Sequence, residues 1–465
     1  MRNGCLALVF LFLSLISSAN IRLPAVISSN MVLQQQSLTP IWGWSEPGEK
    51  IFITTSWNHR VDSVLAPRDA RWKISVPTPA AGGPYTITLK GYNTIVLENV
   101  MIGEVWVCSG QSNMEMTEGW GLSEVRSELP ACATNNIHFF RIPRTTSEYP
   151  QDDLSAQWTA CDSNELKKFS AIGYFFAKKL NKELNIPIGI IQTAWSGTPA
   201  EVWTPAELVS GDPALAAAAT KLKPSPGWPH LPGHCYNAMV APITSYTIAG
   251  ALWYQGESNT TYPQTYSNLL TTMIRSWRKA WNKEFPFYFV QIAPFRYEVR
   301  NQGNLLREQQ AATTKLENTG MVVISDVTGD TADIHPKDKH DVGLRLAGWA
   351  LAETYHKSGL SYKSPMYKSM EVAGNKIRLS IDNAPAGLVV RGKEVTELYI
   401  AGADKVFYPA TAKLQGNQLI VSAPEVRQPV AVRYQFSNSG IGNVFSKDGL
   451  PMAPFRTDDW PVEMR

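Results

Sequence analysis

The alternation of strand-like and helix-like segments between residues 101 and 360 is the feature that most limits the possible folds. Short apolar runs typical of buried strands recur there: EVWVCS, IHFFRI, IPIGIIQTAW, IAGALWYQ, PFYFVQIA and MVVISDV. Between them lie segments with apolar residues at helical spacing. One such segment has a single apolar face formed by Phe169, Ile172, Phe176, Leu180 and Leu184. Strands that alternate with helices predict an α/β domain with a parallel sheet between two helical layers.

The regions on either side of this domain have a different pattern. Residues 20–100 contain short β-like runs interrupted by Pro and Gly, such as RWKISVPTP and NTIVLENV, and residues 361–465 contain similar runs such as NKIRLSID. Strands this short, at this spacing, predict small β-sandwich-like regions at both ends. A chain of 465 residues also exceeds the usual size of one core. The two β regions are either separate modules or pack together beside the middle.

The first 19 residues have the layout of a secretory signal peptide. Arg2 is followed by an apolar run over residues 5–16 and by the small residues Ser17, Ser18 and Ala19. The run is too short for a comfortable membrane span, so we predict cleavage near Ala19. An uncleaved N-terminal anchor is the alternative. The sequence therefore predicts a secreted or periplasmic protein.

Composition argues against several classes of function. The formal net charge is +3, with 18% charged and 44% hydrophobic residues, and no stripe of Lys and Arg accompanies the aromatic residues. Nucleic-acid binding therefore has no electrostatic support. The seven histidines show no metal-ligand spacing, so we expect neither a metal nor another cofactor. The fifteen tryptophans fit either carbohydrate-facing surfaces or, for most of them, core packing.

Four cysteines follow the predicted signal peptide: Cys108, Cys132, Cys161 and Cys235. Four cysteines allow three pairings, and the sequence does not choose among them. Cys132 and Cys161 lie in polar surroundings where a disulfide is plausible in an oxidising compartment. Cys108 lies within an apolar strand and is expected to be a buried free thiol.

Polar clusters follow four strands of the predicted sheet, where ligands bind in parallel sheets. These clusters are GQSN (110–113), SGT (196–198), QGESN (255–259) and DIHP (333–336). A serine, a glycine turn, an amide-rich turn and a histidine on one edge are what acyl transfer requires. Ser112 would attack and His335 would take its proton. A carboxylate would orient the imidazole, and N–H groups would bind the oxyanion.

These motifs, in this order, resemble those of the SGNH-type (GDSL-like) hydrolases, specifically the sialate O-acetylesterase family of carbohydrate esterases in its secreted bacterial form. The match covers about residues 101–356, and the flanking β regions resemble the family more loosely. The resemblance implies a flavodoxin-like parallel sheet, Ser112 as nucleophile and His335 as general base. It further implies that the backbone N–H groups of Ser112 and Gly197 bind the oxyanion and that the substrate is an acetylated sugar.

The sequence departs from the superfamily pattern around the histidine. The superfamily has Asp three residues before His, and this position is Ala332 here. Asp333 is the available carboxylate and is predicted to be the partner of His335. Asp326, Asp330 or a backbone carbonyl are the alternatives.

The third motif is QGESN where the superfamily has Gly-x-Asn-Asp. Gln255, directly at the strand end, is predicted as the side-chain oxyanion donor, with Asn259 as the alternative. Other residues near the motifs are predicted to support the site or line the pocket: Gln111, Glu257, Trp195 and Asn237. Arg307 is expected on a solvated helical face.

The predicted function is a serine esterase that removes O-acetyl groups from a carbohydrate through an acetyl-enzyme. Sialic acid is the first choice of sugar, and plant hemicellulose (xyloglucan or xylan) is the alternative. Two other classes compete with this prediction. A non-catalytic carbohydrate-binding protein with a relic hydrolase domain would not need the intact motifs. A glycosidase would use paired carboxylates such as Glu257 and Asp333 and would leave GQSN unexplained.

Overall fold

The computed structural model describes residues 20–464, so the predicted signal peptide lies outside the described residues. Strands of the N-terminal region lead directly into the central sheet. They are β1 (Val32–Gln34), β2 (Leu38–Trp44), β3 (Lys50–Thr55), β4 (Val61–Leu65), β5 (Arg71–Pro77), β6 (Gly82–Lys90) and β7 (Thr94–Gly110). Within residues 20–464, we find no helix with the length and apolar character needed to cross a membrane.

Strand β7 joins two segments that the sequence pattern separates, NTIVLENV and EVWVCS. Its first half pairs with β6 and β1, and its second half pairs with strands of the central sheet. Exposed and buried residues mix in the first half, whereas the second half is buried continuously. The pattern changes because the strand passes from a partly solvated sheet into one covered on both faces. The N-terminal region and the middle domain are thus continuous through one strand.

The central sheet is built mainly from parallel strands. The additional strands are β8 (Thr134–Arg141), β9 (Trp158–Cys161), β10 (Ile188–Ala194), β11 (Gly250–Tyr254), β12 (Phe287–Val290) and β13 (Thr319–Val322). Their order across the sheet is β13-β12-β11-β7-β10-β8-β9. The pairs are parallel except that β9 runs antiparallel to β8 at one edge. The predicted parallel sheet is confirmed, with this antiparallel edge strand added.

Helices cover both faces of the sheet. They are α1 (Ser112–Glu115), α2 (Ser123–Glu128), α3 (Ser163–Leu166), α4 (Ala171–Leu184), α5 (Ala206–Gly211), α6 (Pro213–Ala219), α7 (Tyr266–Trp281), α8 (Gln302–Thr313) and α9 (His340–Trp349). Helices α4 and α9 share one apolar core, and α7 packs in a second core together with the N-terminal region.

Three tryptophans of the second core, Trp203, Trp253 and Trp277, meet edge to face with ring centres 6.2 Å apart. Core packing therefore accounts for these tryptophans.

The C-terminal region forms small antiparallel sheets with their own core. Its strands are β14 (Met366–Ala373), β15 (Lys376–Asp382), β16 (Leu388–Val390), β17 (Leu398–Ala401), β18 (Phe407–Pro409), β19 (Thr411–Gln415), β20 (Gln418–Ser422), β21 (Ala431–Tyr434), β22 (Val444–Ser446) and β23 (Phe455–Arg456). A separate apolar cluster lies between these sheets. The predicted α/β fold with β regions at both ends is confirmed.

Helix α8 connects the middle domain to the C-terminal region. Arg307 is buried and donates hydrogen bonds to the backbone oxygens of Ser437 and Asn438. Glu308 accepts from Arg456 at 2.6 and 3.0 Å. The expectation of a solvated Arg307 is therefore wrong, because the C-terminal region covers that face of the helix.

The four cysteines are buried free thiols in the described chain. Cys132 and Cys161 contact one another through their side chains, so the two residues singled out for a disulfide lie together as thiols. Burial raises the pKa of the Cys108 thiol to about 12, as expected for an unreactive thiol within a strand.

Candidate active site

The turn after β7 displays Ser112 at the carboxyl end of the central sheet. Gly110 has a φ of +138°, and a Cβ there would lie 2.1 Å from the carbonyl oxygen of Tyr254 on β11. Only glycine therefore fits at this point. The chain then passes through Gln111 into α1, whose first residue is Ser112. The N–H group of a first helical residue has no acceptor within its own helix and is available to a ligand.

Ser112 and His335 are hydrogen-bonded to each other. His335 lies in the loop before α9, and its Nε2 is 3.0 Å from the Oγ of Ser112. This is the geometry in which an imidazole removes the proton of an attacking hydroxyl group. The structure thus brings together the residues predicted as nucleophile and base.

Asp333 lies beside the other ring nitrogen of His335 but holds it loosely. Its Oδ1 is 3.5 Å from Nδ1 of His335 and accepts the backbone N–H of the same residue at 2.9 Å. The side chain of Asp333 is 46% exposed, and the Nζ of Lys337 is 3.6 Å from its other oxygen. Because 3.5 Å exceeds the normal hydrogen-bond length, the carboxylate acts on the imidazole mainly through its charge.

The alternative carboxylates are engaged elsewhere. Asp326 accepts two hydrogen bonds of 2.7 Å from the guanidinium of Arg345. Asp330 accepts the backbone N–H of Ala332 at 2.9 Å. Of these three acids, Asp333 is the one that contacts the histidine.

The surroundings of His335 favour its neutral form. Burial lowers its pKa below the ordinary value, Asp333 opposes this effect, and the ammonium groups of Lys339 and Lys337 lower the pKa further. The pKa of Asp333 is also lowered: burial acts in the opposite direction, but the N–H of His335 and the charge of Lys337 outweigh it. A neutral imidazole beside an ionised carboxylate is the state in which histidine can accept a proton.

Glu115 ties the turn after β10 to the serine turn. It accepts the backbone N–H of Ser196 at 2.8 Å and the hydroxyl of the same residue at 2.7 Å. The guanidinium of Arg144 donates two further bonds of 2.7 Å to this carboxylate. The next residue, Gly197, has a φ of +80°, and a Cβ there would lie 2.3 Å from the ring of Trp228. The glycine predicted to bind the oxyanion is therefore fixed in a conformation that favours glycine.

The amides predicted as oxyanion donors brace the turn after β11 instead. Both N–H groups of Gln255 are used, one by the carbonyl of Thr198 at 3.2 Å and one by Oδ1 of Asn259 at 2.7 Å. The Nδ2 of Asn259 donates to the buried carboxylate of Glu201 at 2.8 Å. The prediction for Gln255 is corrected accordingly, because a fully buried amide with both donors occupied cannot serve an oxyanion. Asn259, the alternative, belongs to the same bracing network.

Gln111 connects the serine turn with the turn after β11. Its Oε1 accepts the backbone N–H groups of Gly256 and Ser258, each at 3.3 Å. The hydroxyl of Ser258 donates to the carbonyl of Gly197 at 2.9 Å. Gln111 therefore links the serine turn to the backbone of the neighbouring turn.

Glu257 belongs to a buried network directly below the serine. The Nδ2 of Asn113 donates to Oε1 of Glu257 at 2.7 Å and to the carbonyl of Ile334 at 3.1 Å. The Nζ of Lys339 donates to Oδ1 of Asn113 at 2.7 Å. Burial raises the pKa of Glu257 and lowers that of Lys339, and the attraction between the two groups opposes both changes. The structure places Glu257 as a brace of the site.

Trp195 and Asn237 donate hydrogen bonds to the backbone of neighbouring segments. The indole N–H of Trp195 donates to the carbonyl of Gly227 at 3.1 Å. The amide of Asn237 donates to the carbonyls of Ser147 and Glu148 at 3.2 and 2.9 Å. Their bonds support a structural role for both residues.

Two exposed indole rings that were not predicted lie against His335 and Gly197. The ring centre of Trp120 is 5.3 Å from that of His335, and Trp228 packs on Gly197. A cavity of about 330 Å³ continues from this point, and its lining includes Gly197, Trp228, Lys221, Lys223, His230 and Tyr262. The sequence does contain a signal for these two residues. Each tryptophan lies in a glycine-containing loop, EGWG or PGWP, outside any apolar pattern.

Lys339 is another residue near Ser112 whose burial the sequence did not reveal. It lies within the charged run PKDKH, which is typical of a solvated surface, yet its side chain is fully buried. Possible metal ligands occur nearby: donor atoms of Asp338, His340 and Asp341 lie within 4.8 Å of one another at the start of α9.

Comparisons with known proteins show the family of the chain. Residues 102–356 match the family model described as carbohydrate esterase, sialic acid-specific acetylesterase. The sialate O-acetylesterase of Pongo abelii is 30% identical over 403 residues, which cover 77% of this chain and 76% of that protein, and the Homo sapiens protein is 29% identical over the same shares. A crystal structure of a carbohydrate acetylesterase from Xanthomonas citri is 35% identical, with a TM-score of 0.86 over 95% of this chain and 100% of that one. The predicted resemblance is confirmed, and the chain belongs to the sialic acid-specific acetylesterase family of carbohydrate esterases, a family of carboxylic-ester hydrolases.

Proposed function

We propose that this enzyme removes O-acetyl groups from sialic acid by a serine mechanism with an acetyl-enzyme intermediate. The observation that carries the mechanism is the 3.0 Å hydrogen bond between Ser112 Oγ and His335 Nε2 at the carboxyl end of the sheet. A nucleophile paired with a base in this way is the arrangement on which acyl transfer depends.

In the first half of the reaction, His335 takes the proton of Ser112 as Oγ bonds to the acetyl carbonyl carbon. The carbonyl oxygen becomes an oxyanion, which the backbone N–H groups of Ser112 and Gly197 stabilise. His335 then gives its proton to the sugar oxygen as the ester C–O bond breaks. The deacetylated sugar leaves, and the acetyl group remains on Ser112.

In the second half, a water molecule replaces the sugar. His335 removes a proton from the water as its oxygen attacks the acetyl carbon, and returns that proton to Ser112 Oγ as acetate leaves. Asp333 stabilises the imidazolium in both halves, since its charge lies 3.5 Å from Nδ1. Its exposure makes this contribution smaller than that of a buried carboxylate.

The surroundings of the pair support a sugar substrate. Trp120 offers a flat apolar surface beside His335 and Trp228 offers one beside Gly197, and the adjoining cavity of about 330 Å³ combines aromatic and polar groups as small-molecule sites do. Lys221 and Lys223 in its lining suit the carboxylate of sialic acid. The two tryptophans equally suit a neutral hemicellulose, which is the second candidate. The N-terminal segment supports a secreted or periplasmic location for either substrate.

The rate of acetate release from matched substrates tests this choice. We expect kcat/KM for O-acetylated sialosides to exceed that for acetylated xyloglucan and xylan by about 100-fold or more, which corresponds to about 2.7 kcal/mol of transition-state stabilisation. The Ser112→Ala variant gives the background for each substrate. The reverse preference would establish hemicellulose as the substrate, and no release from any of them would contradict the proposed activity.

A further inference from the structure

A buried network lies beneath the catalytic pair, and the proposed chemistry does not use it. Its centre is the side-chain amide of Asn113, which makes three hydrogen bonds to two segments of the site, the turn after β11 and the loop between β13 and α9. The partners are Glu257 after β11 at 2.7 Å, the carbonyl of Ile334 at 3.1 Å, and Lys339 at the start of α9 at 2.7 Å.

The network includes the sequence neighbours of both catalytic residues. Asn113 follows Ser112, and Ile334 precedes His335. The bond between Asn113 and the carbonyl of Ile334 therefore fixes the serine turn relative to the histidine loop. Lys339 directs the amide, because its ammonium group requires an oxygen acceptor and so turns Oδ1 toward itself and Nδ2 toward Ile334.

Keeping these charges buried is costly for the fold. Lys339 is fully buried, and its Nζ lies 5.4 Å from the centre of the Tyr254 ring. The Oε2 of Glu257 is buried without a hydrogen-bond partner among the described residues. Buried charges linked through an amide contribute little to stability, because the desolvation of each group offsets the attraction between them. Such a network is better explained by the geometry that it imposes.

We propose that Lys339 and Glu257, acting through Asn113, form a positioning unit that holds Ser112 against His335. The proposal rests on the catalytic roles given to Ser112 and His335 under the proposed function. The chemistry of the network also affects the base, since the charge of Lys339 lowers the pKa of His335.

The charged groups around His335 determine how its titration should respond. Asp333 raises its pKa, and Lys339 and Lys337 lower it, while Trp120 and Ser112 face the ring from the other elements. Around Lys339 itself the charged groups are Glu257, Lys337, Asp333 and Asp338. Removal of the Lys339 charge should therefore raise the pKa of His335. The acid limb of the pH profile, where activity is lost because His335 becomes protonated, should therefore move to higher pH.

The Lys339→Met variant tests the proposal. We expect kcat to fall about 10- to 100-fold with KM changed by less than about twofold, as for a small misplacement of reacting groups. The acid limb of the pH profile should move to higher pH. The matched control is Lys283→Met. Lys283 donates to the carbonyl of Ile248 at 2.7 Å, near the amino end of β11 and so at the end of the sheet opposite Ser112. The control should retain the kcat and the pH profile of the wild type.

A second variant keeps the test valid if Lys339→Met does not fold. Glu257→Gln combined with Lys339→Met removes both buried charges together, which folded proteins tolerate better than the loss of one. The double variant should show the same loss of kcat and the same movement of the acid limb to higher pH. Wild-type kcat and an unmoved acid limb in either folded variant would overturn the proposal. Retained activity in Ser112→Ala would instead overturn the proposed function, so the two failures are distinguishable.

Discussion

The solvent-facing and buried halves of the site differ in how closely their groups are hydrogen-bonded. On the solvent side, His335 contacts Ser112 at 3.0 Å and Asp333 at 3.5 Å, and Asp333 is 46% exposed. On the buried side, Asn113 bonds Glu257 and Lys339 at 2.7 Å each. The groups to which the proposed function assigns the chemistry have few contacts of their own, and we expect the buried groups to set their positions. Substitutions in the two halves should therefore differ in their effects on stability, on kcat and on the pH profile.

The largest effect on stability should come from Asn113→Ala. This change leaves Glu257 and Lys339 buried and without their shared partner, so the free energy of unfolding should fall by about 3–5 kcal/mol. The rate kcat should fall about 100-fold, because the serine and histidine loops lose their link. Chemical denaturation and steady-state kinetics measure the two quantities.

The matched control for that change is Asn237→Ala. It removes an amide that also donates to two partners, but these are the carbonyls of Ser147 and Glu148 and not groups of the network around Asn113. It should lower stability by about 1–3 kcal/mol and leave the pH profile unchanged. Equal effects of the two variants on kcat would show that the buried half has no special role in placing Ser112.

A smaller effect is expected for Asp333→Asn in the exposed half. Because the carboxylate is half exposed and 3.5 Å from the imidazole, kcat/KM at neutral pH should fall by at most about tenfold, with little change in stability. The negative charge raises the pKa of His335, so its loss should move the acid limb to lower pH, opposite to Lys339→Met. Added salt should shrink the difference from the wild type. A loss of about 10⁴-fold would mean that Asp333 fixes the ring as a buried triad carboxylate does.

The sequence predicted the parts of this molecule that follow periodic patterns. The apolar residues from Ile172 to Leu184 predicted helix α4, which begins at Ala171 and leaves Phe169 just before it. The alternation of elements predicted the parallel sheet that brings Ser112 and His335 to one edge. It did not show that β7 is continuous, because the change in its burial separates one strand into two patterns.

The parts that the sequence missed depend on the directions of side chains. Gln255 is at a strand end as predicted, but its amide turns toward Thr198 and Asn259, a choice that position alone does not fix. Lys339 lies among charged neighbours, and only the packing of α9 against the serine turn buries it. Contacts between residues more than 200 positions apart, such as Asn113 with Lys339, have no local signature in the sequence.

Trapping of the acetyl group tests the central assignment most directly. The enzyme is mixed with 4-nitrophenyl acetate, quenched in acid during the initial burst of nitrophenol release, and digested for mass spectrometry. We predict one acetyl group on the peptide that contains Ser112, and neither burst nor acetylated peptide in Ser112→Ala. An acetyl group on a different residue, or wild-type acetate release by Ser112→Ala, would contradict the assignment of Ser112 as the nucleophile.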